Sequence, residues 1–576
     1  MVSSKILIFL LSISGCTILT DARSRPWRST NPGGGGAFNS PVITSDGFWA
    51  VGSDLGGFYL SSNKGRRWVQ VGALQGLTAT HVASMAAHPD GRILVGTDDG
   101  IYVASSGGAR TVTHTRPNGY VAAIAVTANP SVVYAAIHPE WNSLDSFLVI
   151  SNDGGQTWSS TESDLPALER VTALRAHPVD EDGIWVITGE GRFAGGDRKR
   201  AYFSSDRGRH FFRRDPAGHG ALIDVAYSQN PNNLNQMFAT TVDSDGTTGR
   251  VFRSEETGFS WIDITPSTSK PSGIILSDAT QHSHVRIIDL DQRNGLESYL
   301  WESSNSGSSW VRRTLSVRGG WSGSDELWGM GYSYQGLPQT IGFDPKNPKT
   351  VLWVNSQFLY ISTNGGRSWR DGVSQKVNMA WASRGIDNVV PVVTEPSLAN
   401  GTLVYAGFRD LGLWRSDNSG ASWVSLNDHQ YSGGWSTAVG GNTLSVVADP
   451  SRAEVVWAQV GGDLDVGRMF LLKSSNRGST WVNSSRGLPS IIRRLEGLSI
   501  APESSQTARW LTVVANGDVY LSGDDGSSWE LVLDCVSNDC HRTIHTTDNG
   551  IISLSPSGIW RSWEGGVARS WEKLDL

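Results

Sequence analysis

The sequence predicts an all-β protein built from propeller blades, and three observations predict it. A short pattern, Ser-x-Asp/Asn-x-Gly-x-x-Trp, recurs along the whole chain. Its copies stand roughly 40 to 60 residues apart, the length of a four-stranded blade. Gly (66) and Trp (24) are abundant while charged residues make up only 18%, a composition suited to many short strands joined by tight turns.

The octet begins at Ser61 (SNKGRRW follows one residue on) and returns at Ser151, Ser204, Ser254, Ser303, Ser362, Ser416, Ser474 and Ser522. Degenerate copies lie near Ala104 and Ser562. Runs such as Phe58-Tyr59-Leu60 and Leu359-Tyr360-Ile361 precede it, and Trp481-Val482 closes one copy, so each octet is a hairpin turn between two strands. Asp or Asn at the third position bonds the turn's own N–H groups, Gly at the fifth takes a positive φ, and the Trp folds into the blade core. Eight of the 24 tryptophans close an octet and are expected to be structural, as are the octet's acidic residues.

A chain of 576 residues exceeds one ordinary core, so two domains or one large repeat array are expected. The net charge of −7, with no basic stripe, argues against nucleic acid as a partner. Residues 1–24 read as a secretory signal: Lys5 precedes the apolar run Ile6 to Ile13. Ile13-Ser14-Gly15-Cys16 also fits a bacterial lipoprotein box, an alternative that leaves a lipid anchor on Cys16. No later segment is long and apolar enough to span a bilayer. Cys535 and Cys540 are expected to form a local disulfide, the rival reading being a zinc site completed by His541 and His545. Otherwise the sequence asks for no cofactor or metal.

The octet resembles the Asp-box, or BNR repeat, found in sialidases, sortilin-type receptors, photosystem assembly factors and glycoside hydrolases of family 74. Two carboxylates stand apart from the boxes. Asp54 and Asp410 precede their octets by seven and six residues, which puts both on the turn at the other end of the hairpin. Asp98-Asp99-Gly100 occupies the same place in a degenerate blade, since any such turn favours Asp and Gly.

Further motifs carry the resemblance to family 74, the xyloglucan-cleaving enzymes. They are Asn31-Pro32-Gly33-Gly34-Gly35-Gly36, then Val51-Gly52-Ser53-Asp54-Leu55-Gly56-Gly57-Phe58-Tyr59. Ile341-Gly342-Phe343-Asp344-Pro345 and Trp381-Ala382-Ser383-Arg384-Gly385-Ile386-Asp387 follow, leading to Phe408-Arg409-Asp410-Leu411-Gly412. The chain departs from the family at Arg409 and Leu413, where glycines are usual, and at Asp387, where Glu is preferred.

The resemblance implies two tandem seven-bladed propellers facing each other across a cleft, over residues 25–345 and 346–576. A single ten-bladed ring is the alternative. It also implies a secreted, inverting endo-β-1,4-glucanase, Asp410 acting as general acid and Asp54 as general base, with a polysaccharide substrate and a monomeric state. The alternative is a non-catalytic sortilin-like or degenerate propeller that binds protein or glycan. Aromatic platforms for sugar are expected at Trp321 and Trp328, in the loop GGWSGSDELWGMGYSYQG, and at Trp435, with Asp325 and Glu326 as reserve carboxylates.

Overall fold

The computed structural model describes residues 30–574 except 35–36, 167–169, 190–199, 217, 229, 231, 244–247, 268–272, 278–282, 292–296, 316, 322–339, 355–357, 410, 429–440, 462–468, 502–507, 536–539, 547–549 and 567–569. The expected signal segment and Cys16 lie outside the described residues. Within them the chain folds into successive antiparallel sheets, ten of four strands, one of five and a two-stranded ribbon.

Seven sheets form a ring. Their innermost strands are Phe38–Ile43, Val82–Ala87, Tyr120–Val126, Val171–Ala176, Ala221–Tyr227, Gly273–Ser277 and Thr340–Asp344. All seven line one central cavity of about 480 Å³. The seventh sheet packs back on the first, where the Ser40 N–H donates to Thr340 Oγ1 at 3.0 Å. Ile43, Trp49, Val51 and Tyr59 of the first sheet share a core with Leu352, Trp353, Tyr360 and Trp369 of the seventh.

Closure at seven sheets rules out a single ten-bladed ring. The boundary expected at 345/346 falls in a hairpin of the seventh sheet, whose strands run to Asp371, so the first unit extends through that residue. After it come the ribbon (Ser374–Val377 with Ala380–Ser383) and four further sheets from Pro391 to Leu574, each packed on the next. Among the described residues the second unit therefore holds four sheets, not the seven expected.

The octets show why these residues turn where they do. In ten copies, from Ser61 to Ser562, the fifth-position Gly N–H donates to the first-position Ser Oγ at 2.8–2.9 Å. In the eight copies with Asp or Asn at the third position, that side chain accepts the N–H four residues on, as from Arg67 to Asn63 Oδ1 at 2.9 Å. Residues four and five both take left-handed backbone, as at Lys64 (φ 60°) and Gly65 (φ 69°). Removing the accepting hydroxyl orphans a buried N–H, so Ser362→Ala should cost about 1–3 kcal/mol in a urea titration.

The closing tryptophans join neighbouring sheets. The indole N–H of Trp261 donates to Arg214 O, Trp310 to Ile264 O, Trp481 to Leu426 O and Trp529 to Ser484 O, at 2.7–3.0 Å. Each acceptor directly follows the outermost strand of the preceding sheet. Trp68 of the first sheet makes the same bond, 2.9 Å, to Gly372 O behind the seventh. Ring closure thus repeats the ordinary contact between blades.

One buried and one half-buried histidine, His138 and His545, couple this fold to pH. Burial, aided by Arg170, holds His138 down at about 4, and burial alone holds His545 at about 4. The unfolded chain binds these protons near pH 6.5 and the folded one does not, so stability falls as pH drops from about 6.5 to 4. His545→Gln should flatten that part of a Tm-against-pH curve.

Candidate active site

Asp54 lies in the turn between Trp49–Ser53 and Phe58–Ser61, at the opposite end of that hairpin from its octet. The turn is fixed locally. Ser53 Oγ accepts the N–H groups of Leu55 (3.2 Å) and Gly56 (3.1 Å), and Gln70 Nε2 donates to Gly56 O at 2.8 Å. Gly57 has φ 74°, and a Cβ there would sit 2.5 Å from Val71 O, so only glycine fits.

The half-buried Asp54 carboxylate is held through one oxygen. Oδ1 accepts the Ala37 N–H at 3.0 Å and the Asn388 side-chain N–H at 2.9 Å, while the Asp54 N–H returns a bond to Ala37 O at 3.1 Å. Among the described residues no donor reaches Oδ2. Tyr59 stands beside it; burial, then the charge of Asp387, then that of Asp54 push its phenol well above its usual range, so it stays protonated.

Asp410 is outside the described residues, but the residues around it are not. It follows Val404–Phe408 and precedes Gly412–Ser416, the equivalent hairpin of the first sheet after the ribbon. Phe408, Leu411 and Trp414 belong to the same buried cluster as Val51 and Tyr59. A backbone path also joins the two hairpins. Asn388 grips Asp54, and two residues later Val390 O accepts the Arg409 N–H at 3.0 Å. Two residues of extended chain span roughly 7 Å, so the segment 388–390 ties the Asp54 turn to the backbone of Arg409.

The departures at this hairpin are absorbed. Leu413 is fully buried and pairs with Gly407, and the Arg409 side chain is exposed. Asp387 accepts a bond from Ser383 Oγ, and its backbone pairs with Gly34.

Trp321 is not an exposed platform. It is 0% exposed, its indole N–H donates to Pro32 O at 2.9 Å, and its ring meets Phe358 and Trp414 at 5.3 and 5.5 Å. An aromatic in a Gly-rich loop reads as exposed in sequence; here it fills the gap between the seventh sheet, the sheet after the ribbon and the N-terminal glycines. Trp328, Trp435, Asp325 and Glu326 lie outside the described residues.

Sequence reasoning missed Asn388, because no local pattern links it to a residue 334 positions away. The central cavity is lined by none of the candidate residues; Arg175 and Asp224 pair across its wall at 3.2 Å. Cys535 and Cys540 are joined by a disulfide with Cα atoms 6.0 Å apart, which removes the thiolates a zinc site would need. His541 instead faces Glu496 at 3.2 Å, and no group of three metal-ligating side chains occurs among the described residues. None of the described helices is long and apolar enough to cross a membrane.

No protein-family profile matches the chain, and no curated protein matches it in sequence. Solved structures do match. An ancestral glycoside hydrolase family 74 enzyme aligns with TM-score 0.72 at 17% identity, over 95% of this chain and 78% of that one. The Niastella koreensis family 74 enzyme aligns with TM-score 0.49 at 15% identity, over 95% of this chain and 93% of its own. The Xanthomonas campestris family 74 xyloglucanase gives 0.48 at 14%, over 96% and 95%. The ring, the sheets that follow it and the 0.72 alignment together give this chain the propeller fold of the family 74 glycoside hydrolases.

Proposed function

We propose that the protein is a secreted, monomeric glycoside hydrolase that cleaves a plant-type β-1,4-glucan, xyloglucan being the first candidate, with inversion at the anomeric carbon. The observation that carries this reading is the Asp54 carboxylate, pinned through Oδ1 with no donor on Oδ2 among the described residues, on a turn tied through residues 388–390 to Arg409. The fold shared with the ancestral family 74 enzyme supports it, and the apolar run after Lys5 supports export.

In this reading Asp54 Oδ2 takes a proton from a water as its oxygen bonds to the anomeric carbon. Asp410 gives its proton to the glycosidic oxygen as the C–O bond breaks. The water needs the carboxyls roughly 6.5–9.5 Å apart. Proton NMR of fresh xyloglucan digests tests this: the first-formed reducing ends should be α. A β product excludes inversion, and no cleavage of xyloglucan or unbranched β-glucan excludes the hydrolase.

A further inference from the structure

We propose that Asn388 is a positioning residue that sets the orientation of the Asp54 carboxylate. The inference rests on the hydrolase reading and adds a residue to it.

Three features converge on Asn388. Its side chain is 4% exposed, and it donates at 2.9 Å to the same oxygen that takes the Ala37 N–H. An ionised carboxylate only accepts, so the amide must present its N–H. Two donors on Oδ1 fix the plane of the carboxylate and leave Oδ2 for the proton.

The segment that carries Asn388 is itself rigid. Arg384 O accepts the Trp68 N–H at 2.7 Å, Ile386 O accepts the Gly34 N–H at 3.0 Å, and Ile386 is fully buried. Gly385 has φ 98°, and a Cβ there would lie 2.3 Å from Trp68 O, so the segment cannot approach this closely with any other residue.

The same segment leads directly into the sheet that carries Asp410. Val390 O holds the Arg409 N–H, so one short stretch grips the base through a side chain and the acid's neighbour through its backbone. The segment of Asn388 thereby ties the Asp54 turn to the backbone of Arg409.

A double-mutant cycle tests this, with Asn388→Ala and the isosteric Asn388→Asp made in the full chain. In the parent, each variant should lower kcat on the β-glucan roughly 10- to 100-fold while KM stays within about two-fold. In an Asp54→Ala background, azide can attack the anomeric carbon without losing a proton, Asp410 still protonating the leaving oxygen. There Asn388→Ala should change the azide-supported rate less than about two-fold, because the carboxylate it positions is gone. Equal losses in both backgrounds, or an unchanged kcat in the parent, overturn the positioning role and leave the hydrolase reading standing. Full activity of Asp54→Ala overturns both.

Discussion

Asp54→Ala should lower kcat on a β-1,4-glucan by about 10²–10⁴-fold with little change in KM, and Asp410→Ala should do the same on that substrate. The two losses separate when the leaving group changes. An aryl β-glucoside of low leaving-group pKa departs without protonation, so Asp410→Ala should recover most of its rate there. Asp54→Ala should not, because the attacking water still needs a base. Added azide should reverse the pattern and rescue Asp54→Ala alone. The proposed role of Asp54 as base is supported by its bonding: among the described residues both donors meet Oδ1, and none meets Oδ2. If both variants keep parental turnover, neither carboxylate is in the reaction and the general acid and base are other residues.

Trp321→Ala should destabilise the protein by about 3–5 kcal/mol in a urea titration. Its ring sits between Phe358 and Trp414, its indole holds Pro32 O, and its own N–H donates to Ser374 Oγ at 3.0 Å. Gly34 is close enough that a Cβ on it would lie 3.0 Å from the ring. Truncation leaves a cavity where the ring of seven, the sheet after the ribbon and the N-terminal glycines meet. A sugar platform would behave otherwise, raising KM at constant stability.

The octets were legible in sequence because their bonds span four residues and need only a Ser, an Asp or Asn, and a Gly in fixed order. The octet count followed the sheets closely for the same reason. How the sheets divide was not legible. Trp68 reads like every other octet tryptophan, and nothing local says that its acceptor is Gly372. Two full rings were therefore expected from the resemblance, whereas four sheets follow the ring among the described residues. Asp54 was legible as a turn carboxylate set apart from the boxes, and the glycines at 33 and 34 as a motif. That Gly34 passes under Trp321, and that Asn388 reaches Asp54, are long-range facts decided by packing.

The bond from Trp68 to Gly372 also orders events during synthesis. The first sheet emerges first, but the partner for its Ile43, Trp49, Val51 and Tyr59 face is not made until the seventh sheet follows. The bond spans 304 residues, and at about 5–20 residues per second that is a wait of roughly 15–60 s. Throughout it, one apolar flank of the growing arc stays open to water. The nascent chain thus carries an adhesive edge from its earliest folded element until ring closure, and whatever receives the growing chain must cover that interval.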